Sequence, residues 1–270
     1  MKRCTLLQRV RELNPDIGEN ELYARIVCGE IQVNGVTVRS PLELVSGDAL
    51  IDQRPQKRFV SRGGEKLDGI LTRWNVRVAG LSFIDAGSST GGFTDCLLRR
   101  GARAVIAVER GHNQLDFRLR QDPRVMSLEK TNIMNLARKD LPFAVDAAVA
   151  DLSLRSLRYA ASHILSLLPD GWLIALVKPQ YERTGDPGYD KGGVVRDEEE
   201  TVKILRTLLR ALQDEGLAVV RGAPSPITGA KGNREFFFEL RRDPEFVSGV
   251  GQEGERRLEL EKLVAEAFAR

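Results

Sequence analysis

The stretch IDAGSSTGGFTD, residues 84–95, reads as the end of a buried strand, a glycine-rich turn and the start of a helix. Backbone amides at such a turn can cradle a ligand, and the ligand decides what kind of protein surrounds it. The glycines at 87, 91 and 92 follow G-x-x-x-G-G, which is not the G-x-G-x-x-G dinucleotide pattern. The chain also lacks G-x-x-x-x-G-K-[ST], so a P-loop is excluded.

Working outward, strand-like and helix-like segments alternate. LSFIDAG, RAVIAVE, RVMSLE, VDAAVADLS, GWLIALVKP, LAVVRGAPS and REFFFELRR read as strands. TDCLLRRG, SLRYAASHILSLL and DEEETVKILRTLLRALQDEG read as helices, the last with Asp197 and Glu200 spaced as a capping box. Such alternation predicts an α/β fold with a mostly parallel sheet covered by helices on both faces. No helix-length connection separates the final two strands, which predicts an antiparallel hairpin at one side of that sheet.

In open parallel sheets a ligand sits beyond the carboxyl ends of the strands, where the 87–92 turn falls. Glu109 ends the second strand, 24 positions after Asp85. A carboxylate there can accept both hydroxyls of an unphosphorylated ribose. Asn132 follows the third strand and can meet an adenine edge, and Asp151 ends the fourth. Asp85, beside the turn, can receive an ammonium group where a pyrophosphate would be repelled. Amine, sulfonium, ribose and base without phosphate is S-adenosylmethionine. The cofactor set expected on this reading is Asp85, Gly87, Ser88, Gly91, Gly92, Phe93, Glu109, Asn132 and Asp151.

Composition narrows the class. Apolar residues make up 42% and charged residues 29%, the balance of a water-soluble globular chain. The net charge of +3 is a mild bias, but residues 54–66 hold five basic residues against one acid, and residues 99–124 seven against three. Three widely spaced cysteines without a CxxC pair fit a reducing compartment with no disulfide framework. Two distant histidines speak against a metal centre. GWLIALV is too short to span a membrane, and MKRCTLLQRVREL lacks the apolar region of a signal peptide. A cytoplasmic location without membrane association is expected.

The first 57 residues form a unit of their own. TLLQRVREL and ENELYARIVCG have helical spacing, and IQVNGVTVRS sets Asn34-Gly35 between two strand-like runs, a strong hairpin signal. ALID can add a further strand. Two helices followed by a hairpin resemble the S4 RNA-binding domain, with ARIVCGEIQVNGVTV as the core of the resemblance. The Ser-Arg usual ahead of the second helix is replaced here by Glu19-Asn20-Glu21. The unit carries nine basic and eight acidic residues over positions 1–58, so its field is weak. DQRPQKRFVSRGG is a charged, Pro- and Gly-punctuated connector. The boundaries expected are 1–57 for the S4-like unit and linker, 58–243 for the α/β domain and 244–270 for a helical tail.

Lys66 just after SRGG, Asp151, Lys178 at the end of WLIALV and Glu235 in KGNREFFFEL stand out by where they fall. A lysine closing an apolar run is costly to bury unless it is paired. Together they resemble the Lys-Asp-Lys-Glu tetrad of ribose 2′-O-methyltransferases of the FtsJ (RrmJ) type. More closely, VSRGGEKL, DAGSSTGGFTDCLL, LVKPQYE, KGGVVRD and SPITGAKGNREFFFEL are similar to the TlyA, or haemolysin A, family over nearly the whole chain. DLSLRSL departs, with Leu152 and Leu154-Arg155 where that family carries apolar and aromatic residues.

The resemblance implies a Rossmann-like class I methyltransferase behind an S4 domain, transferring methyl from S-adenosylmethionine to a ribose 2′-hydroxyl of ribosomal RNA, usually of a cytidine. It implies catalytic roles for Lys66, Asp151, Lys178 and Glu235, and ribosomal subunits as partners. Arg25, Lys57, Arg58, Arg62, Lys231 and Arg234 are expected to face RNA. YERTGDPGYDKGGVVRD after Lys178 reads as a polar loop able to close over substrate. Two other classes compete: a non-catalytic RNA-binding or ribosome-assembly factor, and a pore-forming cytolysin, against which stand the missing export signal, spanning helix and barrel hairpin.

Overall fold

The computed structural model describes residues 3–54, 58–153, 156–183, 193–229, 232–242 and 253–269. The chain divides into two compact units, Met1–Arg58 with Leu115–Asp122, and Phe59–Gln114 with Pro123–Arg270.

In the first unit Thr5 opens the helix Leu6–Leu13 with a reciprocal cap. Its hydroxyl accepts from the Gln8 amide at 3.3 Å while the Gln8 side chain accepts from the Thr5 amide at 3.1 Å. The helix Glu19–Val27 follows, then a hairpin of Ile31–Val33 and Val36–Thr37. Asn34 and Gly35 occupy the hairpin turn at φ 50° and 78°, the left-handed pair that a two-residue turn demands. ALID supplies the strand Ile51–Gln53 on the other side of Ile31–Val33. Leu6, Val10, Leu22, Ile26, Ile31 and Val45 make the small core. Sequence reading places the short helix Phe117–Gln121 in the second domain, whereas by packing it belongs to the first unit. Arg118 pairs with Glu30 at 2.7 Å, and the Phe117 ring lies 5.5 Å from that of Tyr23.

The second unit is built on seven strands: β1 Ser82–Ala86, β2 Ala104–Val108, β3 Val125–Leu128, β4 Ala147–Ala150, β5 Trp172–Val177, β6 Leu217–Pro224 and β7 Phe236–Arg242. In spatial order they run β6-β7-β5-β4-β1-β2-β3. The five strands from β1 to β5 are parallel, and β7 runs antiparallel between β5 and β6. The expected antiparallel pair is present, but the last strand is inserted inside the sheet and does not form its edge. FFFEL explains why. Phe236, Phe237 and Phe238 are all buried, so both faces of β7 must be covered.

Helix Glu198–Asp214 is capped by the Asp197 carboxylate, which accepts the Glu200 amide at 2.7 Å. The described part of the segment set apart as a tail, residues 253–269, packs on the main core. Within helix Glu253–Phe268, Leu260, Val264 and Ala267 are buried against the sheet layer, and Glu266 receives both Arg73 guanidinium nitrogens at 2.7 and 3.0 Å.

Candidate active site

The turn after β1 is fixed by its own backbone. Gly87 and Ser88 both donate to the Val108 carbonyl at the end of β2, at 2.9 and 3.1 Å, and Gly91 caps the helix Gly92–Arg99 at φ 93°. Gly87 (φ 82°) lies so close to the neighbouring strand end that a Cβ would come within 2.7 Å of the Asp151 carbonyl. At Gly92 a Cβ would meet the Ser61 hydroxyl at 2.2 Å and the Gly64 amide at 2.8 Å. The absence of a side chain there lets the helix Arg62–Arg73 seat its first turn directly on the glycine turn. SRGG is therefore the N-cap and first turn of that helix, and Lys66 is its fifth residue.

Asp85 is the deepest charge of the region. It has no exposed surface, and its Oδ2 accepts both the Thr94 amide (3.0 Å) and the Thr94 hydroxyl (2.6 Å). Oδ1 is buried and has no hydrogen-bond donor. Burial, with the nearby charges of Asp151 and Glu109 adding, outweighs the Thr94 hydrogen bonds and pushes the carboxyl up to about 7. Glu109 bridges two loops, its oxygens accepting from the Ser89 amide at 2.9 Å and the Gly111 amide at 2.7 Å. Asn132 caps the short helix Ile133–Asn135 by accepting the Met134 amide at 3.2 Å. The Phe93 ring is buried and stacks on Phe237 with centroids 6.0 Å apart, so its contribution to the turn is its backbone.

Strand register sets the remaining residues side by side. Ala86 pairs with Ala150 and Ala150 with Ala175, while Val177 faces Phe236. Gly87, Asp151, Lys178 and Glu235 are therefore the residues just beyond four adjacent strands, spaced at about 4.8 Å per strand. Lys178 Nζ lies 2.5 Å from Asp151 Oδ1. The approach is that of an ion pair off the hydrogen-bonding direction, because this buried oxygen has no donor aligned on it. Lys66, arriving from its helix, donates to Glu235 Oε2 at 2.5 Å, with the two residues only 8% and 5% exposed. Burying such charges is tolerable only because each has its counter-ion.

Of the basic residues expected at RNA, Arg62 donates to the Thr228 carbonyl at 2.5 Å and Arg234 lies over the Phe268 ring at 5.7 Å. Arg58 is exposed. In the first unit Arg25 is held by Glu21 at 3.0 Å. Lys57, Lys231, Leu154, Arg155 and most of the 181–197 loop lie outside the described residues. Sequence reading passed over two buried groups. One is Thr94, whose signal was a hydroxyl in the first helical turn facing Asp85. The other is Glu182, four residues after Lys178, a carboxylate that a helical step brings back toward the strand ends.

Around the glycine turn stand three carboxylates, Asp85, Glu109 and Asp151; Asp85 has a buried oxygen that lacks a donor, while that of Asp151 faces the Lys178 ammonium. This lining repels phosphate and suits a ligand rich in hydrogen-bond donors and positive charge, such as an amine and ribose hydroxyls. No cluster of metal-ligating side chains occurs among the described residues, and no described helix is long and apolar enough to cross a membrane. A glycine turn walled by carboxylates, on a sheet whose seventh strand is inserted antiparallel, defines a Rossmann-like class I methyltransferase.

Comparison with known proteins narrows the class. Residues 59–242 match the FtsJ-like methyltransferase family. The 16S/23S rRNA (cytidine-2′-O)-methyltransferase TlyA of Mycobacterium tuberculosis is 37% identical over 219 residues, 80% of this chain and 81% of that one. Hemolysin A of Brachyspira hyodysenteriae is 37% identical over 217 residues, 78% of this chain and 88% of that one. A solved structure from Streptococcus thermophilus that carries the hemolysin family name superimposes with a TM-score of 0.68 at 30% identity, covering 100% of this chain and 97% of that one. The chain belongs to the FtsJ-like methyltransferases, in the TlyA/haemolysin A family.

Proposed function

We propose that this enzyme transfers a methyl group from S-adenosylmethionine to the 2′-hydroxyl of a cytidine in ribosomal RNA, in the cytoplasm, with ribosomal subunits as the substrate particles. The observation that carries the reading is the pair of lysine–carboxylate contacts, Lys178–Asp151 and Lys66–Glu235, at strand ends beside the glycine turn. Similarity to the TlyA enzyme supports the choice of nucleotide and particle.

The Asp85 oxygen without a donor suits the ammonium of the cofactor's amino-acid moiety, and Glu109 suits its ribose hydroxyls. The missing Cβ at Gly87 lets the turn lie close against the end of the Asp151 strand, which brings the carboxylates around it together. When bound, S-adenosylmethionine supplies a methyl group already activated by its positive sulfur. The protein has then to align the acceptor oxygen and manage one proton, because a ribose hydroxyl is a poor nucleophile. Lys178 steers or accepts that proton, and Asp151 fixes its amine at the strand end. Lys66 binds the target phosphate or ribose, oriented by Glu235. The first unit, with its S4-like helices and hairpin, supplies a surface for structured RNA.

The deciding experiment incubates unmodified ribosomal subunits with labelled cofactor and maps 2′-O-methylation by mass spectrometry. 2′-O-methylation confined to cytidine is expected. Label appearing only in protein, or on a base in place of a ribose, would overturn the reading.

A further inference from the structure

Glu182 is a buried carboxylate to which neither the cofactor set nor the tetrad assigns a role. It ends the short helix Pro179–Glu182, which leaves the sheet directly after Lys178. It is 6% exposed and accepts two hydrogen bonds from the segment that leaves the sheet after Asp151: one from the Ser156 hydroxyl and one, at 2.8 Å, from the Leu157 amide. Leu157 is itself locked into the main core. One carboxylate thus ties together the two segments that diverge from the Lys178–Asp151 ion pair. Lys178, Glu182, Tyr181, Leu152 and Leu157 line one hollow between them. Burial pushes Glu182 up to about 7, against the opposing effects of Ser156, the Leu157 amide and Arg158. An acid held in that environment is a costly way to close a hollow unless its two acceptor oxygens are needed.

We propose that Glu182 is a positioning residue for methyl transfer: its side chain binds the Asp151 segment to the Lys178 segment and thereby holds the lysine amine at the distance and angle the reaction requires. The inference rests on the assignment of Lys178 and Asp151 to the transfer step. Misplacing an acting group by about 1 Å costs on the order of a hundredfold in rate, while substrate held elsewhere keeps its affinity.

The test compares Glu182→Ala, Glu182→Gln and Ser156→Ala in the full chain. Glutamine can reproduce the tether, its carbonyl oxygen accepting the Leu157 amide and its amide nitrogen donating to the Ser156 oxygen. Glu182→Gln should retain kcat within about threefold, whereas Glu182→Ala should lower kcat roughly 10- to 100-fold. KM for RNA and cofactor affinity by calorimetry should stay within about threefold in both. Hydrogen exchange at the Leu157 amide should quicken about tenfold or more in Glu182→Ala and stay slow in Glu182→Gln. Wild-type kcat and slow exchange in Glu182→Ala would overturn the proposal, as would equal losses in kcat, KM and cofactor affinity, the mark of a general packing role. If Glu182→Ala fails to fold, Ser156→Ala, which removes one of the two bonds, should give an intermediate loss confined to kcat; a wild-type kcat there refutes the proposal. If the wild-type protein transfers no methyl group to RNA, the functional reading falls, and a Leu157 amide that stays protected in Glu182→Ala would separately remove the tether.

Discussion

Cofactor binding should be linked to a proton through Asp85. In the free protein this carboxyl titrates at about 7, raised from an ordinary 3.8 chiefly by burial. The shift of about three units corresponds to roughly 4 kcal/mol at 1.36 kcal/mol per unit, as an upper bound. The sign follows from the raised value. The contribution of Asp85 to stability is fully present below pH 3.8 and is lost as the pH rises through about 7, because folding then traps a charge without solvent. An ammonium docked on the donor-less Oδ1 needs the ionised form. Below about pH 7 binding must therefore expel a proton, and affinity for S-adenosylmethionine should fall about tenfold per pH unit. Calorimetry at pH 6 in two buffers of different ionisation heat should count close to one proton released. Asp85→Asn separates stability from function. Its amide oxygen can take over both Thr94 hydrogen bonds, leaving a buried amide nitrogen unpaired at a cost of about 1–3 kcal/mol. Set against the relief of roughly 4 kcal/mol, the cofactor-free variant should be about 1–3 kcal/mol more stable than wild type at pH 8, and this advantage should shrink by roughly 2.6 kcal/mol at pH 5, where part of the wild-type penalty is already gone. Its cofactor affinity should drop on the order of a hundredfold, since an ammonium would face a donor in place of a carboxylate. A wild-type affinity that is flat between pH 6 and pH 8, with no proton released, would refute the reasoning.

Lys178→Ala should abolish methyl transfer while calorimetric cofactor affinity stays within about threefold, as expected of a group acting only in the transfer step; normal turnover would discard the assignment. Lys66→Met leaves the Glu235 carboxylate buried without its cation and should cost about 3–5 kcal/mol in urea denaturation. The double variant Lys66→Met/Glu235→Leu should regain most of that stability yet remain inactive, and recovered turnover would show that the pair is purely structural. Gly87→Ala brings a Cβ within 2.7 Å of the Asp151 carbonyl at a positive φ. It should destabilise the fold by about 1–3 kcal/mol and weaken cofactor binding, both measurable by thermal shift with and without ligand.

The strand–turn–helix unit around residues 84–95, the Asn34-Gly35 hairpin and the alternation that makes the sheet parallel are local. Each follows from glycine spacing, side-chain period or turn chemistry, so the linear chain specified them and the class of cofactor with them. Apolar runs that meet a charge placed Asp151, Lys178 and Glu235 at strand ends, and it was the family resemblance that grouped them with Lys66. Other features depend on contacts between segments far apart in sequence. The three phenylalanines of β7 mark a strand buried on both faces, yet only packing placed it between β5 and β6, where Glu235 falls beside Lys178. Pairing of Lys66 with Glu235 spans 169 positions. Glu182 acquires its partners only because two loops leave neighbouring strands and converge on it. Helix Phe117–Gln121 joined the first unit, and the supposed tail joined the main core, because burial follows apolar area wherever the chain can bring it together. Local chemistry singled out the charged groups proposed to act. Long-range burial chose their counter-ions, Glu235 for Lys66 and Asp151 for Lys178, because a buried charge is tolerated only beside its opposite.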